Sequence, residues 1–152
     1  MLFRSLDKMR VVGRDGFSIA NCVRRVKAAR RGIGPNVELM VDAHGSLEVP
    51  VAINLAKVLE PHRIAWFEEP VSPENHRGQG EVRRATTIPI ASGEREFTRY
   101  GFQSLLDHAA IDVAQPDVAR AGGFTEIRRK IGRASCREEC LSVCRSRWSP
   151  YH

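Results

Sequence analysis

The sequence predicts an α/β fold, a partial (β/α)8 barrel of about five βα units. Three observations carry this expectation. Short apolar runs alternate with stretches of helical periodicity, the pattern of βα units around a parallel sheet. Four acids, Asp42, Glu68, Glu94 and Asp117, recur at intervals of 26, 26 and 23 residues, about the span of one strand, loop and helix. Each acid sits at or just past the end of an apolar run: VELMVD, IAWFEEP, IPIASGE and IDVAQPD. An open doubly wound sheet offers one switch point served mainly by two strands, whereas every strand of a barrel ends at one central mouth. Acids on four consecutive strands therefore favour the barrel.

The first apolar run covers Leu6 to Val12, with Lys8 and Arg10 inside it, and the turn GRDG follows. Ser18 to Arg31 reads as a helix, with Ile19, Cys22, Val23 and Val26 as its apolar stripe and Ser18 as N-cap. GIGP at 32–35 stops it. Val37–Val41 is a strand ending at Asp42. Pro50 suits a first helical turn, and the helix continues to Leu59. Ile64–Phe67 is a strand ending at Glu68, after which Pro70 and Pro73 enforce a loop. A weaker helix covers Gly80–Ala85. Ile88–Ala91 runs into Glu94, Thr98–His108 reads as a helix, and Ile111–Ala114 runs into Asp117. Gly122-Gly123 precedes a last helix from about Thr125; a tight turn explains this glycine pair better than a phosphate cradle.

The 152 residues suit one domain or part of a larger one. No stretch reaches the roughly 18 apolar residues of a membrane span, and the start, MLFRSLDKMR, lacks the apolar core of a signal peptide. A soluble cytoplasmic protein without a membrane partner is expected. The net charge of +6 invites a nucleic-acid reading. However, Arg24, Arg25, Lys27, Arg30 and Arg31 share one predicted helix, where charge marks a solvated face. No aromatic residues interleave with them to stack bases, so no nucleic-acid partner is expected. Cys22 reads as a small buried residue.

A lone acid near a strand end is usually a cap or a solvated charge. Here the common spacing brings Asp42, Glu68 and Glu94 to one mouth, and three converging carboxylates suit a hard divalent cation. Residues i and i+2 of a strand share a face, which pairs His44 with Asp42, Lys8 with Arg10, and Gln115 with Asp117. Such a site fits removal of a proton from the carbon beside a carboxylate. A bound Mg2+ would grip that carboxylate and stabilise the charge that builds up. Lys8 and Arg10 would add positive charge, and His44 or a base on a later strand would move the proton.

Five motifs carry a family resemblance: K-M-R at Lys8–Arg10, V-D-A-H-G at Val41–Gly45, F-E-E-P at Phe67–Pro70, S-G-E-R at Ser92–Arg95, and Q-P-D-x-x-x-A-G-G-F-T-E at Gln115–Glu126. Together they resemble the barrel of the enolase superfamily, in its mandelate-racemase and muconate-lactonizing branch. The histidine two residues after the first acid, with GERxxxR, is most similar to acid-sugar dehydratases of the galactonate-dehydratase type. The resemblance spans residues 3 to 130. It implies Asp42, Glu68 and Glu94 as Mg2+ ligands and His44 as the general acid that expels the 3-hydroxyl. It implies Asp117 as partner of a catalytic histidine on the next strand. Lys8 and Arg10 match the branch's K-x-K/R position. Glu69, Arg95 and Glu96 are expected to lie behind the ligands. The implied reaction dehydrates a sugar acid, a small-molecule substrate, to a 2-keto-3-deoxy acid. A racemase or epimerase, or a non-catalytic truncated product, are the alternatives. The full-length parent is expected to be a homo-oligomer.

Residues 1–130 are thus expected to form a partial barrel domain. It is expected to lack the family's capping domain, its first strand and its last two strands, and as an isolated piece to fold poorly and to be inactive. From Ile131 the character changes: IGRASCREECLSVCRSRWSPYH holds Cys136, Cys140 and Cys144 and no strand-like run. The C-x3-C-x3-C spacing matches no zinc pattern. IGRASCRE and CRSRWSPYH resemble a translated DNA-sequencing adapter, so residues 131–152 are expected to be a non-native tail. The nucleotide record tests this: codons matching the adapter across Ile131–Glu138 are the expected finding, and unrelated codons would remove the idea.

Overall fold

The computed structural model of the chain describes residues 6–11 and 17–128. Strands β1 (Leu6–Arg10), β2 (Glu38–Asp42), β3 (Ile64–Glu68), β4 (Ile90–Ser92) and β5 (Val113–Ala114) form one sheet in the order β1-β2-β3-β4-β5. Every pairing is parallel. Helices α1 (Ile19–Ile33), α2 (Val49–Leu59), α3 (His76–Ala85) and α4 (Thr98–Asp107) alternate with the strands. Sequential order without reversal is that of a barrel wall, not of a doubly wound sheet. The chain forms the partial barrel that its sequence predicts. The GRDG turn, the tail from Ile131 and its three cysteines lie outside the described residues.

The helices begin and end for local reasons. The Ser18 hydroxyl accepts from the Asn21 N–H at 3.4 Å to cap α1, and Gly34, at φ 75°, closes it. Pro50 occupies the first turn of α2, where its missing N–H costs nothing. A 3-10 turn, Glu60–His62, links α2 to β3 through Arg63 in the left-handed region. Helix α3 starts at His76, earlier than the Gly80 expected from sequence. Asn75 Oδ1 accepts from the Gly78 N–H at 2.9 Å and supplies the cap. The glycines that weaken the helical pattern there are packing requirements: a methyl at Gly78 would come within 2.6 Å of Val49 Cγ2, and one at Gly80 within 2.5 Å of the His108 carbonyl.

Strands β4 and β5 are shorter than their apolar runs. Pro89 has no N–H to give a ladder, and the Ile90 N–H is taken by Asp112 Oδ2 at 2.8 Å. Asp112 Oδ1 is held in turn by Arg83 at 2.7 Å.

The sheet has two faces of different kind. Leu39, Val41, Phe67 and Ile90 pack with Cys22, Val26, Ala52, Leu55, Leu59 and Val82 from the helices, forming the main core. The opposite face carries Met40, Trp66, Ala91 and Val113, a small apolar tier drawn from strands alone. Asp42 follows Met40 by two residues and Glu68 follows Trp66 by two, so both acids share this inner face. Burial pushes the Cys22 thiol up to about 11, consistent with a packing role.

Phe67 is fully buried and central to the main core. Its replacement by alanine should cost about 3–5 kcal/mol, the usual scale for emptying an aromatic core site. Denaturant unfolding followed by circular dichroism measures this.

Candidate functional site

Asp42 and Glu68 face each other in register on adjacent parallel strands. Both are buried, at 4% and 2% exposure. Two carboxylates so placed repel each other, and burial removes the water that would screen them. Lys8, on the neighbouring strand, answers both: its Nζ lies 2.5 Å from Glu68 Oε1 and 3.2 Å from Asp42 Oδ2. Burial works to lower the Lys8 pKa, but the hydrogen bond and charge of Glu68, joined by those of Asp42, outweigh it and the net direction is upward. Lys8 is therefore held as an ammonium. The remaining carboxylate oxygens are also engaged. The His44 N–H donates to Asp42 Oδ1 at 2.8 Å, and Trp66 Nε1 and Gln115 Nε2 donate to Glu68 Oε2 at 3.3 and 3.2 Å.

Past the strand ends the pleat no longer sets direction. His44 and Glu69 both sit in the left-handed region, at φ 53° and 41°. The i, i+2 rule therefore does not place His44, because β2 ends at Asp42. The turn carries the exposed His44 side chain to Glu69 and Glu94 instead. Ligand atoms of these three residues all lie within 4.8 Å of one another. Glu69 is already committed: Arg95 Nε reaches its two oxygens at 3.1 and 2.9 Å, and Arg95 Nη2 reaches Oε2 at 2.5 Å. The hydrogen bonds that Arg95 donates to Glu69 hold its pKa above the ordinary value. Gly45, at φ 69°, lets the guanidinium pass, since a Cβ there would lie 2.7 Å from Arg95 Nη2.

The remaining candidates are placed as follows. Arg10 lies opposite Asp42 in the β1–β2 register but is exposed, and Lys8 is the cation that touches the acids. Asp117 is exposed, and its Oδ1 accepts from the backbone N–H groups of Ala119 and Arg120 at 2.7 and 3.2 Å. Strand β5 stops at Ala114, so Gln115 and Asp117 do not form a strand pair; Gln115 alone turns toward Glu68. Two residues escaped the sequence reading. Trp66 is visible only as an apolar strand residue, yet its indole N–H steadies Glu68. His76 carried no spacing signal and reaches Glu96 at 2.9 Å.

The donor set suits a hard divalent cation. Asp42, Glu68 and Lys8 together leave one net negative charge, while Glu94 gathers with His44 and Glu69 rather than in a trio with Asp42 and Glu68. Gln115 Oε1 is a further oxygen donor beside Glu68, buried and unpartnered among the described residues. Carboxylate and carbonyl oxygens are the preferred donors of Mg2+, Ca2+ and Mn2+.

Fold and site together define an α/β-barrel domain whose strand ends present buried acids to one mouth. The family model described as "Enolase C-terminal domain-like" matches residues 4–138, and the chain belongs to that family. The match upholds the resemblance to the mandelate-racemase and muconate-lactonizing branch of the enolase superfamily. The chain is 40% identical over 114 residues to D-galactarolactone cycloisomerase of Agrobacterium fabrum (strain C58 / ATCC 33970), covering 75% of this chain and 30% of that protein. Among solved structures, it is similar to the 3,6-anhydro-D-galactonate cycloisomerase from Zobellia galactanivorans, with TM-score 0.81 and 41% identity over 87% of this chain and 36% of that one. It is also similar to L-talarate dehydratase from Polaromonas sp. JS666, complexed with Mg and L-glucarate, with TM-score 0.78 and 32% identity over 88% and 36% of the two chains. The chain thus spans about a third of the length of these relatives. No helix among the described residues is long and apolar enough to cross a membrane.

The pair of Glu69 and Arg95 yields a stability prediction. Glu69 is 1% exposed, so Arg95→Ala strands a buried carboxylate. The expected loss is about 2–4 kcal/mol, below the full cost of breaking a wholly buried pair because Arg95 is partly exposed. Glu69→Gln with Arg95→Ala should recover part of it, measured as a double-mutant cycle by denaturant unfolding.

Proposed function

We propose that the chain is the cation-holding part of an acid-sugar dehydratase. The observation that supports this most directly is the in-register, buried pair of Asp42 and Glu68 with Lys8 between them. Asp42, Glu68 and Glu94 would hold Mg2+, which when bound supplies positive charge against a substrate carboxylate as the adjacent carbon loses its proton. Lys8, bonded to both acids, would be a cation for the substrate carboxylate. Arg10 is the second cation of the mouth. His44, exposed beside Glu94, would give a proton to the departing C3 oxygen. Asp117 is the acid that would steady a catalytic imidazole. Loss of the 3-hydroxyl as water leaves a 2-keto-3-deoxy acid.

A second reading follows from the two cycloisomerases, which share 40% and 41% identity with the chain. The opening step is the same, removal of a proton beside a carboxyl group. The C–O bond that breaks then belongs to a ring, and the oxygen stays attached to the product. His44 would protonate the leaving oxygen in either case.

Two measurements test this reading. Titration with Mg2+ or Mn2+ should show binding to the chain, lost in Glu68→Gln. In the complete enzyme carrying this segment, a panel of acid sugars and their lactones should give Mg2+-dependent keto acid. Glu68→Gln should lower turnover by at least about a hundredfold, the scale of removing a built-in charge stabiliser. A product lighter by one water identifies a dehydratase, and one of unchanged mass a cycloisomerase. Undiminished cation binding in Glu68→Gln would overturn the assignment.

A further inference from the structure

Glu94 is the expected ligand that the sheet holds least. Strand β4 has three residues, and its ladder to β3 pairs only Phe67 with Ile90 and Glu68 with Ala91. Glu94 lies beyond the strand, after Gly93 at φ 126°. The turn closes on itself through the Glu96 N–H to the Gly93 carbonyl at 3.2 Å. Its outward anchors are the two side chains that follow Glu94. Arg95 ties back to Glu69 at the end of β3. Glu96 ties back to His76, the first residue of α3.

The second tether is closely built. Glu96 is 8% exposed, with His76 Nε2 at 2.9 Å from its Oε1. The other ring nitrogen, Nδ1, lies 2.7 Å from Ser104 Oγ on α4. One neutral tautomer satisfies the whole chain: the Ser104 hydroxyl donates to Nδ1 and the Nε2–H donates to Glu96. Gly101, one turn before Ser104, leaves the space for the carboxylate, since a methyl there would collide with Glu96 Oε2. Two helices and one strand-end turn therefore meet at Glu96.

We propose that His76 is a positioning residue for the cation site, acting through Glu96 to hold the turn that presents Glu94. The inference rests on the reading of Glu94 as a cation ligand given above. It assigns a function to His76, which lies outside every motif of the site. The carboxylate–imidazole pair stands behind the ligand, where outer partners of metal ligands typically set affinity.

The test is Mn2+ titration of the chain by electron paramagnetic resonance, at a temperature where circular dichroism shows each variant folded. His76→Ala should weaken Mn2+ binding by about tenfold, within the range for loss of an outer partner. His76→Gln, which keeps a donor for Glu96, should recover most of that loss. Gly101→Ala reaches the same carboxylate from the other side and should weaken binding likewise, although alanine favours the helix. A purely structural His76 would lower the unfolding midpoint and leave the affinity at wild-type value, which would overturn the proposal while the cation site stands. If His76→Ala does not fold, Gly101→Ala decides, and wild-type affinity in it counts against the tether. Absence of Mn2+ binding in the wild-type chain would remove the cation site and the tether together.

Discussion

Two carboxylates buried side by side on neighbouring strands require a cation, and the site is organised around that requirement. Asp42 and Glu68 share the inner face because both lie at even spacing from apolar residues, Met40 and Trp66, that must point inward. The core therefore dictates the electrostatics: the alternation that buries Val41 and Phe67 on the outer face obliges the following residues to turn in. Lys8 answers the demand with one charge against two. The deficit that remains makes a divalent ion a better partner than a monovalent one.

Around this centre, the loops after β3 and β4 are each steadied by a side chain from a neighbouring unit. Arg95 reaches back to Glu69, and His76 reaches across to Glu96. Both acids follow a candidate ligand closely, Glu69 directly after Glu68 and Glu96 two residues after Glu94. The chain thus sets a ligand and its anchor within three residues, so one short loop carries both. This arrangement suits a short strand such as β4, whose few ladder bonds leave its loop in need of other support.

Much of the fold was legible because its signals are local. Alternating apolar runs, Ser18 as a cap, Pro50 in a first turn and the even spacing of the acids all act within a few residues, and each has its counterpart in the structure. The start of α3 was not legible, because Gly78 and Gly80 look like helix breakers until Val49 and His108 are seen against them. Of the four spaced acids, Asp42 and Glu68 are the last residues of β2 and β3, while Glu94 and Asp117 fall beyond their strands. The direction of His44 was not legible, since strand alternation lapses where the backbone enters a positive φ. Asp117 fails the alternation for a similar reason, with β5 ending three residues before it. The pairing of His76 with Glu96 spans 20 residues and two elements, a distance at which no periodicity speaks.

The tier of Met40, Trp66, Ala91 and Val113 beneath the acids carries one more consequence. Its side chains shut water out beneath the acids, so Asp42 and Glu68 are screened less than surface carboxylates would be. Ala91 is the smallest member of that tier. Bulk added there would crowd Met40 and Trp66, which lie two residues before Asp42 and Glu68, without touching any group that bears charge.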